Sequence, residues 1–151
     1  MIQLTEEHLE TIYTHAETTY PEECCGVILG YLDVETKTVV KIITTENAWS
    51  HESASNLEDD VTEYSKRKRY ALAPQSLFQI QKQARDQSLD IIGIFHSHPD
   101  NSAIPSECDR ILAFAQYSYI IASVTKGKVT DIKSWVLDDD QQFQEEGVEK
   151  R

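Results

Sequence analysis

The apolar positions of this chain change period along its length, and each period names an element. Leu9, Ile12, Tyr13, Ala16 and Tyr20 recur at helical spacing behind Thr5, Glu6 and Glu7, which offer the oxygen cap and negative charge that a helix N-terminus favours. They predict a helix over Thr5 to Thr19, ended by Pro21. Cys24 to Leu32 is a continuous apolar run of strand length, Asp33 to Thr36 a turn, and Thr38 to Thr44 the second arm of a hairpin. From Glu46 to Arg69 no period persists, and a long loop is expected. Pro74 suits a first helical turn, and Leu77, Phe78, Ile80 and Ala84 place one apolar stripe on a second helix ending near Ser88.

Asp90 to His98, DIIGIFHSH, is apolar on both faces until its histidines, as in a central strand whose C-terminal end meets a cleft. A third helix is expected from Pro105 and Ser106 to about Gln116, with Ile111, Leu112 and Ala115 turned inward. Tyr119 to Val124 and Ile132 to Leu137 supply further strands. The pattern predicts one α/β domain over residues 1–137, a mixed sheet flanked by about three helices, followed by a flexible acidic tail over residues 138–151.

Composition narrows the partners. Among 151 residues, 14 Lys and Arg oppose 26 Asp and Glu, a net charge of −12, which argues against nucleic acid as a partner and against an anionic lipid surface. No apolar run nears the roughly 20 residues of a membrane helix, and MIQLTEEHLE lacks the basic and apolar regions of a secretory signal. Three cysteines, two of them adjacent at Cys24 and Cys25, make a poor disulfide framework and suit free thiols in the cytoplasm. The basic run Lys66 to Arg69 reads as a solvated loop. His8, His15 and His51 have no partner that the pattern assigns.

Chemistry concentrates at the end of the central strand. Residues i and i+2 of a strand share a face, so His96 and His98 can present two imidazoles to one point. Asp109, eleven residues after His98 and in the first turn of the following helix, can bring a carboxylate back as a third ligand. Two histidines and a carboxylate with one open position suit catalytic zinc, and they also suit non-haem iron. A carboxylate beside the metal would carry protons, with Glu22 and Glu23 as candidates, and the Ser106 hydroxyl could support an oxyanion. Ser106 and Asp109 also form a plain S-x-x-D capping pattern. Cys25 and Cys108 are not read as ligands, since Cys108 is rotated about 100° from Asp109 on a helix.

The run His96, Ser97, His98, Pro99, then six residues, Ser106, two residues and Asp109 matches HxHPx(6)SxxD and resembles the signature of the JAMM or MPN-plus zinc metalloproteases. The flanks IGIFHSHP and PEECCGVILG are similar to that family's central and Glu-bearing strands. The resemblance implies a cytidine-deaminase-like fold, zinc held by His96, His98 and Asp109, Ser106 stabilising the tetrahedral intermediate, and Glu23 as general base, with Glu22 the alternative one residue away. It further implies hydrolysis of a peptide or isopeptide bond at the C-terminal tail of a ubiquitin-like protein, a sulfur carrier or modifier, as in the prokaryotic single-domain branch. The competing expectation is a non-catalytic MPN-type binding module or scaffold.

Overall fold

Thr5 decides where the first helix begins: its hydroxyl accepts from the His8 backbone N–H while its own N–H donates to His8 Nδ1, a reciprocal cap. The computed structural model describes residues 1–50 and 65–151. Along them run β1 (Ile2–Leu4), α1 (Glu6–Thr19), β2 (Cys25–Leu32), β3 (Lys37–Thr45), α2 (Pro74–Asp86), β4 (Asp90–Pro99), α3 (Glu107–Ile111), β5 (Ser118–Thr125), β6 (Lys128–Leu137), β7 (Phe143–Glu146) and β8 (Val148–Lys150). His51 and the middle of the expected polar loop lie outside the described residues.

All the strands join one eight-stranded mixed sheet in the order β7-β6-β5-β4-β2-β3-β1-β8. β4 runs parallel to β5 and antiparallel to β2, so it is an interior strand with no free edge. Alternation along β2 explains the two layers. Ile28 points to the α1 side, where Ile12 and Ala16 of α1 pack with Ile92, Phe95, Ile120 and Ala122. Val27 and Leu29 point to the other face, where Ile80 and Ala84 of α2 pack with Leu89. A bulge beside Ile91 in the β2–β4 ladder resets the phase of β4, so that Phe95 joins the α1 core and its neighbours Ile94 and His96 face away from it. Gly93 follows the bulge, where any Cβ would run into the Ser118 carbonyl of β5.

Three expectations need correction. α3 spans Glu107–Ile111 rather than reaching Gln116, and Ile111, Leu112 and Ala115 are exposed rather than inward. The chain must turn back at once to start β5, and the Phe114 N–H donates to the Tyr119 hydroxyl in that return. Phe78 is likewise on the solvent side of α2. The acidic tail read from residue 138 onward carries β7 and β8, which pair with β6 and β1. β7 and β8 are separated only by Gly147, so one chain segment supplies both ends of the sheet and closes it on itself. Among the described residues no helix is long and apolar enough to cross a membrane.

Composition concealed that closure because its central residue is charged. Glu146 accepts from the Ser118 hydroxyl at 2.6 Å and the Ser134 hydroxyl at 2.8 Å, and lies 3.5 Å from the Met1 amine. Lys37 donates to Ser118 at 2.7 Å, completing a partnered polar network under the closing strand. Glu146→Ala is therefore expected to lower stability by about 2 kcal/mol in urea unfolding. Glu145→Ala, which removes an exposed pair with Lys133, is expected to change it by about 0.5 kcal/mol or less.

Candidate metal centre

β4 carries two imidazoles to its end on one face, both buried, with their Nε2 atoms 3.2 Å apart. Ser106 caps α3 in the reciprocal way that Thr5 caps α1. Its hydroxyl accepts from the Asp109 N–H at 3.1 Å, and its own N–H donates to Asp109 Oδ2 at 2.9 Å. That cap turns the carboxylate back toward the strand, leaving Oδ2 at 3.2 Å from His96 Nε2 and 3.1 Å from His98 Nε2. The connection between strand and helix is pinned from outside. Trp135 Nε1 donates to the Ala103 carbonyl, the Ser123 hydroxyl donates to the Asn101 carbonyl, and Asp100 accepts from the Tyr20 hydroxyl and the Lys126 N–H.

The donor set fits a small cation. His98 Nδ1 donates to the Ser102 carbonyl at 2.8 Å, so Nε2 is the nitrogen that can present a lone pair to an ion. Burial lowers the pKa of His96 and outweighs the pull of Asp109, which favours the neutral form of that ring. Burial opposes ionisation of Asp109, but charge and hydrogen bonding from His96 and His98, when a proton lies between those rings and the carboxylate, outweigh it and hold the carboxyl well below its usual range. A cation among the three would take the place of that proton. Two lone pairs and a carboxylate oxygen thus converge with separations of 3.1 to 3.2 Å. Tetrahedral ligands about 2.0 Å from an ion stand about 3.3 Å apart. His96 Nδ1 is buried without a hydrogen-bond partner among the described residues. The ring is held instead by the Tyr70 ring, stacked at 4.4 Å and 21°.

Glu23 approaches from β2's entrance, where Ser97, the residue between the two histidines, accepts from the Cys24 N–H at 2.8 Å. Glu23 is 4% exposed whereas Glu22 is exposed. Glu23, His96 and His98 each offer one ligand atom within 4.8 Å of the others, a group that could hold a metal ion. Glu23 Oε1 has no hydrogen-bond partner among the described residues. Burial, then the charge of Asp109, pushes its carboxyl well above the usual range, and Arg69 opposes them. Glu23, His98 and Ser106 line an open cleft of about 440 Å³ together with Lys68, Arg69, Ile104 and other residues.

Arg69 and Lys68 were not legible as site residues, because the run holding them reads as a solvated loop, and Tyr70 follows that run with no pattern to mark it. Cys25 is turned toward Thr45 of β3, and burial pushes its thiol up to about 11. His8 serves the α1 cap, and His15 Nε2 bridges the Cys25 and Thr45 carbonyls of the β2–β3 ladder.

The family described as prokaryotic homologs of the JAB domain matches residues 5–138, nearly the whole chain. The chain belongs to that family. Desampylase of Haloferax volcanii is 27% identical to this JAB domain over 127 residues, spanning 81% of this chain and 80% of that protein. The solution structure of a protein from Desulfitobacterium hafniense has a TM-score of 0.80 at 27% identity, covering 100% of this JAB domain and 93% of the other chain. A JAB1/MPN domain protein from Archaeoglobus fulgidus shares the fold, with a TM-score of 0.55 at 18% identity over 99% and 96% of the two chains.

The environment of Glu23 has a measurable consequence in the metal-free protein. A carboxyl whose folded pKa is raised binds its proton more tightly when folded, so stability falls as pH rises from about 4.3 through the folded value. Glu23→Gln removes that penalty. Thermal unfolding of the metal-free variant is expected above wild type at pH 7 and level with it near pH 4. A Glu23→Gln protein that melts below wild type at pH 7 would contradict this assignment.

Proposed function

We propose that this JAB domain is a zinc-dependent hydrolase that cleaves a peptide or isopeptide bond at the C-terminal tail of a ubiquitin-like protein, a sulfur carrier or modifier. The observation that carries the reading is the convergence of three donor atoms, 3.1 to 3.2 Å apart, beside the buried Glu23 carboxylate, whose Oε1 has no hydrogen-bond partner among the described residues, in an open cleft. His96, His98 and Asp109 would hold the ion, which when bound acidifies a water and polarises a carbonyl oxygen.

The remaining chemistry belongs to the chain. Glu23, desolvated and with a raised proton affinity, takes a proton from the attacking water and returns it to the departing amine. The Ser106 hydroxyl oxygen accepts from the Asp109 N–H, which leaves its own hydrogen available to the developing oxyanion at the cleft wall. An extended substrate tail lies in the cleft between the 100–106 connection and the segment holding Lys68 and Arg69. The H. volcanii relative, by its name, supports a ubiquitin-like substrate class.

The test is incubation of the purified protein with ubiquitin-like proteins carrying C-terminal extensions or isopeptide-linked lysines, with and without chelator, read by mass spectrometry. Cleavage that chelator stops and zinc restores is expected. Iron restoring turnover where zinc does not would exchange the metal. Metal binding without any turnover would make the protein a binding module. Glu23→Gln is expected to lower kcat by roughly 100- to 10,000-fold with zinc content retained. Asp109→Ala is expected to release the metal, and unchanged zinc content in that variant would break the ligand assignment.

A further inference from the structure

Asn47 lies just past β3, in a stretch whose sequence reads only as loop, and its side-chain amide is completely used. Nδ2 donates to the Glu23 carbonyl at 3.1 Å and the Arg69 carbonyl at 2.8 Å. Oδ1 accepts from the Trp49 N–H at 3.0 Å and the Ala71 N–H at 3.2 Å. Two donors and two acceptors are all that an amide offers.

Those four bonds join three pieces of chain that sequence keeps far apart. The first is the entrance of β2, bearing Glu23. The second is the end of β3. The third is segment 65–71, which carries Arg69 on the cleft wall and Tyr70 on the His96 ring. Two backbone bonds run alongside, from the Glu23 N–H to the Lys66 carbonyl at 2.7 Å and from the Ala48 N–H to the Ala71 carbonyl at 2.9 Å. Glu23 thus has both backbone polar groups tied to this junction. Among the described residues Oε1 of its side chain has no hydrogen-bond partner, so the backbone bonds at this junction bear on where the carboxylate stands.

We infer that Asn47 is a positioning residue: its amide clamps the Glu23 backbone to the wall formed by segment 65–71, and so fixes where the proton-carrying carboxylate stands relative to the two histidines. This rests on the role proposed for Glu23. Neither an apolar residue nor an acid can replace the amide. Alanine removes all four bonds, and aspartate keeps the two acceptors while setting a carboxylate oxygen against two carbonyls.

The two variants separate positioning from mere folding. Amide hydrogen exchange at Trp49 and Ala71 is measured by NMR on the metal-free proteins, and kcat and KM on the zinc-loaded ones. Asn47→Ala is expected to speed exchange at both amides and to lower kcat about 10- to 100-fold, with KM changed far less. Asn47→Asp is expected to keep the Trp49 and Ala71 amides protected while kcat falls by a similar factor, a split that a purely structural role does not produce. Wild-type kcat in Asn47→Asp would overturn the inference. Should the wild-type protein cleave nothing, the proposed function has failed rather than the clamp. The clamp is then decided by exchange alone, and unchanged protection in Asn47→Ala overturns it.

Discussion

Two imidazole lone pairs and a carboxylate oxygen repel one another at about 3 Å unless a positive charge lies among them. This chain brings three such atoms together, and the local architecture around them opposes their separation. β4 is hydrogen-bonded along both sides, so its terminal histidines cannot swing out with a fraying edge. The cap that starts α3 is also the clamp on Asp109, so the same two hydrogen bonds that begin the helix aim the carboxylate. A stabilising local motif and an electrostatically unfavourable constellation are built from one pair of residues.

The surroundings then divide the site's properties between elements. The strand–helix unit supplies the donors. The entrance of β2 supplies a carboxylate whose proton affinity is raised by burial and by Asp109. Segment 65–71 contributes cations to the cleft wall and a ring on His96. None of these pieces is adjacent in sequence, and hydrogen bonds through Ser97, Asn47 and Lys66 hold them in register. The buried carboxylate of Glu23 is thus carried by a part of the chain different from the one that carries His96, His98 and Asp109.

What the sequence disclosed follows the range of the forces involved. α1, α2, the β2–β3 hairpin and β4 were legible because periodicity and caps are local. Their bounds in the structure lie within a residue or two of the expected ones. The spacing from His96 to Asp109 was legible for the same reason. β1 escaped notice because three residues carry no period. β7 and β8 escaped because Glu146, a charged residue in an acidic stretch, is satisfied by serines and an amine that arrive from elsewhere in the chain. Between Glu22 and Glu23 composition offered no choice, and the structure buries only the second. Asn47 and Tyr70 had no signal at all, since an amide in a loop and an aromatic ring after a basic run acquire meaning only through tertiary partners.

The closing strand also bears on how this fold comes into being. β8 lies beside β1, so residues 148–150 pair with residues 2–4 across almost the entire length of the polypeptide. Contacts of such long sequence separation carry the largest loop-closure entropy and form late. During synthesis the helices and the β2–β3 hairpin can assemble as they emerge, but β6 keeps an unpaired edge until residues 143–146 have cleared the ribosome and β1 until residues 148–150 have. A nascent chain halted before residue 143 would carry His96, His98 and Asp109 and yet expose both strand edges to any neighbouring chain.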